Sequence, residues 1–128
     1  MTDSIQPLYI EETDNTPRID FDPVSADLWL IGESFPDLAH EFYKPILQWF
    51  QGLVASTRGP ICLKFKFTYF NTSTSKYIIN FLSLAEGAVA AGRSVEVEWY
   101  YPTDDENIKK NGLELADGFK VMFTTIAY

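Results

Sequence analysis

The hydrophobic period changes twice between Ile61 and Tyr101, and this restricts the fold more than any other feature of the chain. In ICLKFKFTYF apolar and polar residues alternate. Ile61, Leu63, Phe65, Phe67 and Tyr69 share one side, and Cys62, Lys64, Lys66 and Thr68 share the other. A period of two is that of a half-buried strand. Beyond YFNTSTSK the spacing becomes helical, with Ile78, Phe81, Leu82, Ala85 and Val89 on one stripe and Gly92 as the C-cap. SVEVEWYY then alternates again, Val95, Val97, Trp99 and Tyr101 against Glu96, Glu98 and Tyr100. A strand, a helix and a strand in succession imply a parallel pair joined by a right-handed crossover. Parallel pairing would bring Lys64 and Lys66 near Glu96 and Glu98.

The rest of the chain fits around this unit. Residues 1–7 read as a frayed lead-in and LYIEE as an edge strand. RIDFD and DLWLIG flank the turn DPVSAD and form a hairpin. GESFPD then opens a helix, with Ser34 as candidate N-cap, Pro36 in the first turn and Asp37 complementing the dipole. Leu38, Phe42, Ile46, Trp49, Phe50 and Leu53 supply its apolar stripe, and STRGP ends it. Pro45 interrupts the pattern and predicts a kink. PTDDENIKKNGLELADG predicts a shorter helix opened by Asp104 or Asp105, and KVMFTTIAY a final strand. The order is β-β-β-α-β-α-β-α-β: one α/β domain over residues 1–128, with a mixed sheet and helices mainly on one face.

Composition excludes several functions. Of the 128 residues 46% are hydrophobic, enough for a real core and too many for a disordered chain. No apolar run reaches membrane-spanning length, and MTDSIQPLYIEE does not have the pattern of a signal peptide. The net charge is −8, and the acidic excess sits in residues 1–41, where Arg18 is the lone base. Nucleic acid and anionic membranes are therefore poor partners. The single cysteine, Cys62, rules out an internal disulfide and fits a cytoplasmic protein with no cofactor.

Catalytic groups are scarce. His40, the only histidine, reads as a surface residue and Cys62 as a structural thiol. Asp104, Asp105 and Glu106 could hold a metal, but acids also suit a helix N-terminus for its own sake. What remains is NTSTS, where Thr72, Ser73, Thr74 and Ser75 follow Asn71. One hydroxyl suffices to cap a helix. A phosphate at that point would meet free backbone N–H groups and the positive end of the dipole, adding charge without unfolding the helix. In this reading Asn71 shapes the turn, Ser73 or Thr74 caps the helix and holds the modified hydroxyl outward, and Lys76 screens the phosphate. Phe70 or Tyr69 anchors a partner, although Tyr69 also reads as core. A competing reading is a module that binds a nucleotide or small anion at the same helix N-terminus.

Five stretches, EETDNTPRIDFDP, GESFPD, FYKPILQWF, YFNTSTSK and EWYYPTDDE, together resemble the SiaC-type regulatory phosphoproteins. The resemblance covers nearly the whole chain and implies a STAS-like fold without catalysis. It implies that Thr72 is phosphorylated by a dedicated serine/threonine kinase and dephosphorylated by a metal-dependent phosphatase. It further implies that the unphosphorylated form binds a diguanylate cyclase and promotes cyclic di-GMP synthesis, which favours biofilm formation.

Overall fold

A computed structural model describes residues 5–56 and 59–128. The elements run β1 (Leu8–Ile10), β2 (Arg18–Phe21), β3 (Asp27–Ser34), α1 (Ala39–Ser56), β4 (Ile61–Phe70), α2 (Thr72–Ala90), β5 (Val95–Tyr101), α3 (Glu106–Ala116) and β6 (Met122–Ala127). The strands form one sheet in the order β1-β2-β3-β4-β5-β6. The pairings β1–β2 and β2–β3 are antiparallel, and the three that follow are parallel. Every crossover steps in the same direction across the sheet. With a constant right hand, this puts all three helices on one face.

Between that face and the helices lies an aromatic core. Phe65 and Trp99 of the sheet sit 5.6 Å apart, Phe81 of α2 lies 6.0 Å from Phe65, and Phe50 of α1 lies 5.8 Å from Phe81. On α3, Gly112 allows close approach: a Cβ there would fall 2.4 Å from the Trp99 indole. The indole Nε1 donates to the Ile108 carbonyl at 2.9 Å.

The opposite face is solvated, as its charges require. Lys64 sits opposite Glu98 in register, 3.4 Å from its carboxylate and 3.6 Å from that of Asp27, with its ammonium over the Trp29 ring. Of the expected charge neighbours, Glu96 lies opposite Cys62, and Lys66 lies over the Tyr128 ring. Cys62 is half-buried on this face, and burial, then the Glu98 charge, push its thiol up to about 12.

Three local expectations change. Ser34 does not cap α1: β3 continues through it, it is fully buried, and α1 begins only at Ala39. The buried stripe of α1 is Ala39, Tyr43, Ile46, Phe50 and Leu53, while Leu38 is exposed. Tyr69 does not join the core. Gly32 pairs with Phe67 but Glu33 pairs with Tyr69, so Thr68 is an extra residue in β4, and the slip occurs beside Gly32, whose φ is 117°. A bulge of one residue reverses the facing of everything beyond it. Tyr69 turns out, 49% exposed, and Phe70 turns in toward Phe67 and Trp99. Of the lead-in read as frayed, residues 1–4 lie outside the described residues. Ile5 packs against the core, and the Gln6 carbonyl accepts from Trp49 Nε1 at 2.7 Å. Pro45 lies on the exposed side within α1. Residues 57 and 58 of STRGP also lie outside the described residues.

Candidate functional site at the start of the second helix

The end of β4 and the start of α2 carry all four hydroxyls of TSTS, and each has a different environment. Asn71 is the N-cap, with extended backbone. Its side-chain oxygen accepts from the Thr74 N–H at 3.1 Å and from the Ser73 hydroxyl at 2.9 Å. The cap is therefore Asn71 and not Ser73 or Thr74. An amide oxygen at this position satisfies a backbone donor that the helix leaves open.

Thr74 is fully buried. Its hydroxyl donates to the Ser34 carbonyl at 3.0 Å and lies 2.8 Å from Ser34 Oγ, which in turn lies 2.6 Å from the Tyr43 hydroxyl. Burial pushes the Tyr43 phenol well above its ordinary value, so it stays a neutral donor. Tyr43 stacks on Tyr77 at 5.2 Å, and the Asn71 N–H also donates to the Ser34 carbonyl, at 3.1 Å. Ser34, Tyr43 and Thr74 thus tie β3, α1 and α2 together directly beneath the exposed turn.

Ser75 bonds back to the Asn71 carbonyl at 3.3 Å. Thr72 differs from the other three: it is exposed, it occupies the first helical position, and its hydroxyl has no hydrogen bond within the described residues. Beside it an open groove of about 460 Å³ runs between α2 and α3, lined by Phe70, Asn71, Thr72, Ser75 and Glu114 among others. An anionic ligand seated there would face the Glu114 carboxylate, which weighs against a nucleotide or small-anion site. Lys76 is exposed one turn along α2. Tyr69 and Phe35, both partly exposed, meet edge to face at 5.7 Å on the same end of the sheet. Phe70 is largely a core residue.

The other candidates lie elsewhere and do not converge. His40 is exposed on α1, with its Nδ1 3.4 Å from the Tyr77 hydroxyl. Asp105 caps α3 by accepting from the Ile108 N–H at 3.2 Å. Among the described residues no three His, Cys, Asp or Glu side chains come together as a metal set. No helix among them is long and apolar enough to cross a membrane.

Sequence reasoning missed the roles of Ser34 and Tyr43. The strand's own period contained a signal: Leu28 and Leu30 point inward, and two further steps of two reach Ser34.

A model of the SiaC family regulatory phosphoproteins matches residues 10–128. The chain belongs to the SiaC family. It is 31% identical over 113 residues to an uncharacterized protein of Pseudomonas aeruginosa (strain UCBPP-PA14), covering 88% of this chain and 86% of that one. It superposes with a TM-score of 0.91 and 28% identity on a chain from the crystal structure of the diguanylate cyclase SiaD in complex with its activator SiaC, from Pseudomonas aeruginosa. That match covers 94% of this chain and 99% of the other. Apo-SiaC of the same organism matches with a TM-score of 0.85 and 27% identity over 94% and 98% of the two chains. This protein is therefore a member of a family of regulatory phosphoproteins.

Proposed function

We propose that this protein is a non-catalytic cytoplasmic phospho-switch. A serine/threonine kinase phosphorylates Thr72 and a metal-dependent phosphatase restores the hydroxyl. The unphosphorylated form binds a diguanylate cyclase and promotes its activity, as SiaC is described as the activator of SiaD. One observation carries the choice of residue. Of the four adjacent hydroxyls, Ser73, Thr74 and Ser75 are committed to internal hydrogen bonds, whereas Thr72 is exposed and uncommitted within the described residues.

The chemistry follows from its place. At the first position of α2 a phosphate meets backbone N–H groups with no intrahelical partner and the positive end of the helix dipole, so the dianion is tolerated without rearranging the fold. The same dianion on a docking surface is costly, because a partner shaped for a neutral hydroxyl must strip its water or meet it with like charge. Asn71 preserves the turn in both states.

The test is peptide mapping of protein from its native cell, with and without treatment by the phosphatase, together with cyclase binding by Thr72→Ala and Thr72→Asp variants. Phosphate is expected on Thr72, with binding retained by the alanine variant and lost by the aspartate variant. Phosphate found only at other residues sinks the assignment.

A further inference from the structure

Between Glu41 and Glu86 the chain contains no acidic residue, in a protein whose net charge is −8. That interval includes most of α1 and the first part of α2, and the two helices face each other across a groove of about 300 Å³. Lys44 and Gln48 of α1 and Lys76 and Asn80 of α2 line it, over a floor that includes Tyr77. No carboxylate lines the groove. It combines two exposed ammonium groups, several amide hydrogen-bonding groups and an aromatic base on an otherwise acidic molecule.

We propose that the α1–α2 groove is where an acidic segment of the partner protein docks, and that Thr72 controls it through Lys76. The inference rests on the phospho-switch reading above and adds the surface and the coupling. Charge complementarity identifies the occupant: a surface cleared of acids in a strongly acidic chain attracts carboxylates and is unsuited to a basic segment. The helical period supplies the coupling. Thr72 and Lys76 are four residues apart on α2, so their side chains are neighbours on one face. A phosphate on Thr72 forms an ion pair with the Lys76 ammonium within its own helix. The groove then loses one of its two lysine charges to an internal partner and gains a dianion at its rim. An acidic partner segment is disfavoured on both counts.

The test measures binding of the diguanylate cyclase to the full chain at low and high salt. It compares wild type, Lys44→Glu/Lys76→Glu, Lys44→Gln/Lys76→Gln and Thr72→Asp. Both lysines are exposed, and unchanged circular dichroism checks that the variants fold. The charge-reversed variant is expected to bind about tenfold or more weakly, the glutamine variant less so, and the wild-type affinity to fall with added salt. In a Lys76→Gln background, Thr72→Asp should cost several-fold less than it does in wild type. In the complex, Lys44 and Lys76 should be protected from amine acetylation while Lys110 on α3 is not.

If wild type binds and Thr72→Asp weakens binding, but charge reversal changes nothing, the groove proposal fails and the switch stands. An equal cost of Thr72→Asp in both backgrounds overturns the coupling through Lys76. A wild-type protein that never binds the cyclase removes the proposed function and the groove's occupant together.

Discussion

Thr74 Oγ1 lies 2.8 Å from Ser34 Oγ inside the protein, directly beneath the exposed Thr72. Three hydroxyls and one carbonyl make a closed arrangement with one proton for each link. Tyr43 donates to Ser34, Ser34 to Thr74, and Thr74 to the Ser34 carbonyl. The turn that presents Thr72 therefore rests on a directed set of buried hydrogen bonds.

Removing a link should be costly where removing the exposed neighbour is not. Thr74→Val keeps the shape and deletes the hydroxyl, leaving Ser34 without its acceptor. A loss of about 1–3 kcal/mol in urea denaturation is expected, with a similar loss for Tyr43→Phe. Thr72→Val should change stability by less than about 0.5 kcal/mol. Equal losses at residues 72 and 74 would contradict the assignment of inner and outer hydroxyls.

The Asn71 cap makes a separate prediction. Asn71→Ala removes the acceptor for the Thr74 N–H and should destabilise the protein by about 1 kcal/mol, whereas Asn71→Asp retains an acceptor and should cost little. Denaturant midpoints at equal m-value decide between them.

Gly112→Ala tests the contact between α3 and the sheet. The new Cβ would fall 2.4 Å from the Trp99 indole, so the helix must lift or the ring must turn. Overpacking of this kind costs about 1–3 kcal/mol, and a shift in tryptophan emission should accompany the drop in thermal midpoint. A fully native spectrum and midpoint would mean that α3 is less tightly seated than described.

Cys62 predicts a dependence on alkaline pH. Burial raises its thiol from 9.0 to about 12 in the folded state. Below pH 9 both states hold the proton and the thiol contributes no slope. Between roughly 9 and 12 the unfolded chain gives up its proton while the folded one keeps it, so stability falls as pH rises. Cys62→Ala should flatten that part of the profile. At pH 8 a thiol reagent should react with native protein far more slowly than with protein in urea.

The strand–helix–strand centre of the fold was legible because its two periods are long and unbroken. The Asn71–Ser75 turn was legible as a helix entry because hydroxyl and amide residues compete for backbone groups there. The direction each hydroxyl faces was harder to read, since one residue along a helix is a rotation of about 100°. The stripe of Ile78 and Phe81, run backward by four and seven, nevertheless reaches Thr74. The reversal at Tyr69 had no such marker. An extra residue in a parallel ladder is set by the partner strand, here at Gly32, and a strand's own alternation cannot reveal it. Ser34 misled because Ser followed by Pro and Asp reads as a cap whenever the preceding strand is taken to have ended.

The sheet's strand order has a consequence for how the molecule is made. Each strand lies beside the one synthesised before it, so the ladder extends from one edge to the other in the sequence in which the ribosome releases the chain. No later segment has to be threaded between two earlier ones, and the loops to be closed stay short, which favours rapid assembly. The turn bearing Thr72 follows β4, which pairs with β3, the strand that joins the antiparallel and parallel halves of the sheet, so the platform beneath it is begun before the last third of the protein has emerged.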